Sequence, residues 1–234
     1  MLNRIRSRFA GTAQVHASSK IGQAAEAAHT FLKAFHRGGV DHGAVLSFGN
    51  TITCHDGFTA DEPTLHAAVD AVETACRDGS EGTALYDAVA HTADGFVASA
   101  AAYRPWLAIF VTDGKDQSSS RFTSPHLAGR YYASQMAKAG ASVSFLIAVG
   151  SDGELDIPAL QALASSGGMH LLRANHMSEL AQMLLVLTTK IRTEIQIEEA
   201  RAGNVTVRRV TPQASVSVTP FMYALVIDRS GSMR

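Results

Sequence analysis

Two nearly continuous apolar runs leave few folds open to this chain. One is the stretch WLAIFVTDG, residues 106–114, and the other extends from Phe221 to Ile227. Neither run approaches the roughly 18 apolar residues that a membrane span needs. Short runs of this kind are typical of strands buried on both faces, in a parallel sheet that helices cover on each side.

Segments with helical periodicity alternate with these and other strand-like runs. The first, residues 18–36, places Ile21 and Phe35 on one apolar face and offers Ser18 or Ser19 as its N-cap. Residues 43–58 predict a hairpin that turns at Gly49-Asn50. Helices are also predicted at residues 62–76, 82–100, 125–140, 157–168 and 177–192, with strands at 142–150 and 169–174. The pattern indicates an α/β fold with a doubly wound, mostly parallel central sheet, helices on both faces and one antiparallel edge strand.

The order of the elements is unusual, although residues 1–234 are predicted to form a single domain. The helix at 18–36 has no strand before it, and the strand that starts at Phe221 has no helix after it. Period-two alternation and two prolines in residues 193–220 indicate extended segments at an edge or a long connector. The helix therefore lacks a preceding strand and the strand lacks a following helix, so each is the kind of neighbour that the other one is missing.

Composition excludes several classes of protein. The 20 basic and 21 acidic residues nearly balance, which gives no electrostatic footprint for nucleic acid. The two cysteines are too few for a disulfide framework or a thiolate metal site. The scattered histidines lack the pattern of a metal site. The basic N-terminus is not followed by an apolar signal segment, so we expect a cytoplasmic protein without membrane contact.

Oxygen-bearing side chains follow two of the predicted strands and precede one helix. Asp228, Ser230 and Ser232 alternate along an extended segment and therefore project to one side. Asp113 ends another strand, and Thr83 lies where a helix begins. The carboxyl ends of strands in an open α/β sheet form one edge, where ligands usually bind. Carboxylates and hydroxyls are hard ligands that suit Mg²⁺, with Mn²⁺ or Ca²⁺ as alternatives.

These motifs resemble the von Willebrand factor A domain and its metal-ion-dependent adhesion site. DRSGS is similar to the family's Asp-x-Ser-x-Ser motif, GTAL to its threonine loop and TDG to its second-aspartate loop. The resemblance covers residues 18–190 and 221–234. It implies that Ser230, Ser232 and Thr83 approach the ion directly, while Asp228 and Asp113 hold it partly through water. The ion would then bind an Asp or Glu carboxylate of a protein partner.

The order of the motifs departs from that family, in which the Asp-x-Ser-x-Ser strand comes first. We therefore interpret the chain as a circular permutant, in which residues 221–234 form the displaced first strand and metal loop. Residues 193–220 would be a connector or added strands, and residues 1–17 an extension near the metal face. A monomer is favoured, with a strand-swapped dimer as the alternative.

The resemblance predicts an intracellular, non-catalytic interaction module that depends on Mg²⁺. One alternative is a Mg²⁺-dependent phosphohydrolase with Asp228 as nucleophile, although Ser230 stands where such enzymes have a second carboxylate. Another is a scaffold of the same fold that has lost the metal. Asp87, one turn into the helix after Thr83, is predicted to make a local hydrogen bond or salt bridge rather than to bind the ion.

Overall fold

A computed structural model of the chain describes residues 19–77, 82–99, 104–202 and 220–234, without side chains for residues 192–202. Their order begins with α1 (Lys20–Phe35), the hairpin β1 (His42–Phe48) and β2 (Ile52–Thr59), α2 (Glu62–Arg77) and α3 (Leu85–Ser99). It continues with β3 (Trp106–Thr112), α4 (Pro125–Ala139), β4 (Ser142–Val149), α5 (Ile157–Gly167), β5 (His170–Ala174), α6 (Leu180–Ala202) and β6 (Met222–Asp228).

The described strands form one six-stranded sheet in the order β2-β1-β6-β3-β4-β5. Strand β2 is antiparallel to β1 and lies at the edge, whereas the other neighbouring strands are parallel. This arrangement confirms the predicted α/β architecture. The last strand of the chain, β6, occupies a central position between β1 and β3.

Strand β6 supplies apolar side chains to both layers of the core. Its alternate residues Tyr223 and Leu225 pack into a cluster with α1, α2 and α6. Ala224 and Val226 face the opposite cluster, which contains α3, α4 and α5. All seven residues of the strand are buried. The uninterrupted apolar run in the sequence therefore reflects a strand covered by helices on both sides.

Helix α6 corrects one prediction. It continues to Ala202, so the expectation of extended structure or a connector is wrong for residues 193–202. Glu, Gln, Ala and Arg dominate that stretch and favour a helix, whereas the period-two spacing of its isoleucines suggested a strand. Residues 203–219 and the expected extension at 1–17 lie outside the described residues.

Two smaller predictions are confirmed at the first helix. Ser19 is the N-cap of α1, and its hydroxyl accepts a hydrogen bond from the backbone N–H of Gly22 at 3.1 Å. The apolar face predicted from the helical spacing, including Ile21, Leu32 and Phe35, is buried. The cap fixes the position at which α1 begins, and with it the position of Lys20 in the first turn.

No helix in the described part of the chain is long and apolar enough to cross a membrane.

Candidate metal centre

The parallel register of β3 and β6 places two carboxylates side by side. Val111 pairs with Ile227, so Thr112 lies beside Asp228 at the carboxyl end of the sheet. The Thr112 hydroxyl donates a hydrogen bond of 2.7 Å to Asp228 Oδ2. Asp113 follows directly after β3, and both aspartates are almost fully buried. Their proximity results from strand pairing, which no local sequence signal specifies.

The loop after β6 curls back over these carboxylates. The backbone N–H of Ser230 donates to Asp228 Oδ1 at 2.8 Å, and the Ser230 and Ser232 hydroxyl oxygens lie 2.9 Å apart. The Ser232 hydroxyl donates to Asp113 Oδ1 at 2.6 Å. A short 3-10 turn at Gly231–Met233 produces this curl, and the buried Met233 anchors it to the core. Four of the predicted site residues are thus linked by direct hydrogen bonds.

Thr83 reaches the same place from the start of α3. A methyl group built on Gly114 would lie 3.5 Å from Thr83 Oγ1, 3.6 Å from Ser232 Oγ and 4.0 Å from Asp228 Oδ2. Oxygens from the start of α3 and from the end of β6 and its loop therefore lie within 4 Å of one point above Gly114. The backbone at Gly82 has φ +88°, a conformation that favours glycine, and a side chain there would collide with Ser118 and Asn50.

The loop that carries Asp113 is fastened to the N-terminus of α3. The Thr83 carbonyl accepts the N–H groups of Gln117 and Ser118, at 2.8 and 3.1 Å. Asp87 accepts the N–H groups of residues 120–122. Burial tends to raise the pKa of Asp87, but these hydrogen bonds outweigh it and lower the pKa. Asp87 thus makes hydrogen bonds, as predicted, but to a loop 33 to 35 positions further along the chain rather than to its own surroundings in the sequence.

Asp228 is an unusual carboxylate. Burial raises its pKa to about 6, against the hydrogen bonds from Ser230 and Thr112, and the negative charge of Asp113 adds to the increase. Ionisation of Asp228 is therefore unfavourable in this environment unless a positive charge lies close to it.

Lys20 is a site residue that the sequence reasoning missed, and the loop after β6 also carries a buried arginine, Arg229. The Lys20 ammonium lies 2.7 Å from Asp113 Oδ2 and 3.7 Å from Glu154 Oε1. Burial tends to lower the pKa of Lys20, but bonding to Asp113 outweighs it and the pKa is raised. The Arg229 side chain is buried, donates to Thr51, and has an Nε without a hydrogen-bond partner among the described residues. The available sequence signal for Lys20 was its position as the first residue of the predicted helix α1.

The convergent residues line an open pocket of about 440 Å³. Its lining includes Thr83, Asp113, Ser230 and Ser232, together with Lys20 and Glu154. Within the described residues, no group of three or more His, Cys, Asp and Glu side chains is placed to hold a metal ion. The two carboxylates and three hydroxyls of this site are a different donor set. They fit a hard divalent cation that retains part of its hydration, as Mg²⁺ does.

A histidine pair occurs away from this pocket. The Nδ1 atoms of His29 on α1 and His66 on α2 lie 2.6 Å apart. Their Nε2 atoms face Asp70 at 3.1 Å and Glu62 at 3.4 Å. The sequence pattern did not predict this contact, because the two residues belong to different helices.

Similarity to solved structures identifies the fold. A von Willebrand factor type A protein from Catenulispora acidiphila matches with a TM-score of 0.57 and 18% identity, over 76% of this chain and 39% of that one. The conserved hypothetical protein BatB from Bacteroides thetaiotaomicron matches with a TM-score of 0.51 and 13% identity, over 73% of this chain and 88% of that one. No family model and no curated protein matches the sequence. The chain has the von Willebrand factor A fold, as the motifs predicted.

Proposed function

We propose that this chain is a Mg²⁺-dependent protein-interaction module without catalytic activity. The ion would be held by Asp228, Ser230, Ser232, Thr83 and Asp113. When bound, it supplies a positive charge with exchangeable positions that a carboxylate of a protein partner can fill. The observation that carries the proposal is the convergence of these oxygens around one point at the carboxyl edge of the sheet.

The chain's own residues have distinct roles in this proposal. Asp228 and Asp113 provide negative charge from a buried position, and their hydrogen bonds fix the orientation of each carboxylate. The hydroxyls of Thr83, Ser230 and Ser232 provide neutral ligands, which leave the ion with residual positive charge. Such an ion retains attraction for an acidic partner, whereas a cage of carboxylates would neutralise it.

The geometry argues against the alternative of a phosphohydrolase. A nucleophilic carboxylate must reach the substrate, yet Asp228 has no exposed surface and both of its oxygens accept hydrogen bonds within the protein. Ser230, two residues later, has no carboxylate to act as an acid or base. The described groups therefore favour binding over phosphoryl transfer.

Mg²⁺ titration by calorimetry tests the proposed site directly. We expect saturable binding by the wild-type protein and none by Asp228→Asn, with circular dichroism confirming that both are folded. With Mn²⁺ in place of Mg²⁺, the relaxation rate of water protons should decrease when a peptide containing Glu is added, because the peptide carboxylate displaces metal-bound water. Wild-type protein that binds neither ion would refute the proposal.

We further propose that the domain is a circular permutant of its fold, as the order of motifs suggested. Strand β6 ends at the same edge at which α1 begins, since Asp113 contacts both Lys20 and Ser232. A direct connection from the end of β6 to α1 would restore the order in which the Asp-x-Ser-x-Ser strand comes first.

Re-permutation tests this second proposal. A gene that joins Arg234 to Met1 and opens the chain between residues 202 and 220 should yield a folded protein with the wild-type circular dichroism spectrum and Mg²⁺ affinity. The matched control opens the chain inside β3, between Ile109 and Phe110, which are both fully buried, and should not fold. If the first variant is as unfolded as the control, the permutant interpretation is wrong.

A further inference from the structure

Lys20 forms an ion pair with a residue of the candidate metal centre. Its ammonium forms an ion pair with Asp113 Oδ2 at 2.7 Å, and the Asp113 carboxylate has no solvent-exposed surface. The other Asp113 oxygen accepts the Ser232 hydroxyl. Lys20 therefore neutralises the same carboxylate that the proposed function assigns to the metal ion.

A second acceptor for Lys20 lies nearby on the loop after β4. Glu154 Oε1 is 3.7 Å from the ammonium. Its other oxygen, Oε2, is held by the backbone N–H of Ser151 at 2.8 Å and by the Ser151 hydroxyl at 2.7 Å. The carboxylate is thus oriented with Oε1 directed toward Lys20. The ammonium has a fixed alternative partner that is more exposed to solvent than Asp113.

The charges explain why the two cations would exclude each other. Asp113 and Asp228 together carry two negative charges when both are ionised, and a divalent ion between them would compensate both. An ammonium kept 2.7 Å from Asp113 would then lie close to a dication in a partly desolvated pocket, where repulsion is strong. The ammonium would have to move away, and Glu154 lies within the reach of its flexible side chain.

We propose that Lys20 is an internal counter-ion that competes with the divalent ion for Asp113. When the ion binds, the Lys20 side chain moves and its ammonium pairs with Glu154 instead. This inference rests on the proposed function, because it assumes a metal at the same centre. It assigns Lys20 and Glu154 a role in setting the metal affinity. It also couples the first turn of α1 to the occupancy of the site.

Calorimetric titration with Mg²⁺ of three variants tests this exchange at fixed pH and ionic strength. Lys20→Gln removes the competing charge and should bind Mg²⁺ about 10-fold more tightly than wild type, the effect of a ~1.4 kcal/mol change in binding free energy. Lys20→Arg retains the charge and should remain within about 3-fold of wild type. Glu154→Gln weakens the alternative partner and should bind Mg²⁺ more weakly.

Nitrogen-15 NMR of the lysine side chains gives a readout that does not depend on affinity. The Lys20 Nζ resonance should shift when Mg²⁺ is added to the wild-type protein, and this shift should be smaller in Glu154→Gln. Thermal unfolding in the presence of a chelator establishes that each variant is folded.

The outcomes separate this inference from the proposed function. Saturable Mg²⁺ binding by wild type and Lys20→Gln with equal affinity, or weaker binding by Lys20→Gln, would overturn the role of Lys20 and leave the metal site intact. Absence of Mg²⁺ binding in both proteins would overturn the metal site as well. Tighter binding by Lys20→Gln with near wild-type binding by Lys20→Arg supports the exchange.

Discussion

Replacing Asp228 by Asn should separate the stability of this protein from its metal binding. The amide is nearly isosteric with the carboxylate. Its oxygen can still accept the Ser230 N–H, and its NH₂ can donate to the Thr112 hydroxyl, which is able to accept as well as to donate. We therefore expect Asp228→Asn to fold, while the loss of one negative charge removes the principal attraction for Mg²⁺.

The metal-free variant should be more stable than the metal-free wild type near pH 7.5. The pKa of Asp228 is raised from 3.8 to about 6 by burial. Because the pKa in the folded state lies above that in the unfolded state, ionisation opposes folding, and this cost is fully present above about pH 6. One pKa unit corresponds to 1.36 kcal/mol, so the cost is at most about 3 kcal/mol. Rearranged hydrogen bonds should reduce the observed gain to roughly 1–2 kcal/mol.

Mg²⁺ should reverse the order of stabilities. At a Mg²⁺ concentration of 100 Kd, linkage stabilises the wild-type protein by about 2.7 kcal/mol. In a domain of this size, each kcal/mol corresponds to a Tm increase of about 2–4 °C, which gives about 5–11 °C in total. Asp228→Asn should show no such increase.

Differential scanning calorimetry with chelator and with Mg²⁺ measures both the stability difference between the metal-free proteins and the Mg²⁺-dependent increase in Tm. Thr112→Val is the matched control. It leaves the Asp228 charge in place while removing one of the hydrogen bonds to it, so it should retain a Mg²⁺-dependent increase in Tm. An Asp228→Asn protein that is less stable than wild type in chelator, yet is still stabilised by Mg²⁺, would refute the reasoning.

Two further substitutions test the scaffold around the site. Asp87→Asn should lower the free energy of unfolding by about 1.5–3 kcal/mol at neutral pH, because a charged acceptor for the N–H groups of residues 120–122 is lost. The pKa of Asp87 is lowered in the folded state, so its contribution is present above about pH 4 and lost in acid. Urea unfolding at pH 7 and pH 3 should therefore show a smaller deficit at pH 3, and an equal deficit at both would contradict this role. Gly43→Ala should destabilise the protein by about 1–3 kcal/mol, because its Cβ would lie 2.7 Å from Cε2 of the buried Tyr223 ring. Gly57→Ala in the neighbouring strand is the control, since its Cβ would meet nothing within 4 Å, and an equal loss in both variants would exclude the clash as the cause.

The sequence alone was sufficient to predict the fold class. Apolar runs alternate with amphipathic helices, and this pattern depends on local burial, which the identity of each residue reflects directly. It was less informative at residues 193–202, where isoleucines at period two indicated extension but the chain is helical. Local patterns of strand and helix overlap in such stretches, so the sequence could not decide between them.

The chemical identity of the candidate site was also determined by the sequence. Asp228, Ser230 and Ser232 are close in the chain, and their alternate spacing alone directs them to one side of an extended segment. The presence of Asp113 and Thr83 at element ends predicted that other loops would contribute oxygens. The hydrogen bonds that join Asp113 to Ser232 agree with this prediction, although metal binding itself stays a prediction.

Only the tertiary structure decided which side chains face each other across the site. Lys20 and Asp113 are separated by 93 positions, and their ion pair exists because β6 lies between β1 and β3 and ends where α1 begins. The burial that raises the pKa of Asp228 likewise arises from helices packed on both faces of the sheet. Spacing along the chain specifies ligand types within one loop, whereas charge balance between distant loops depends on the order in which strands pair. The sequence therefore determined which polar side chains the candidate site contains, and the fold placed the Lys20 ammonium beside them.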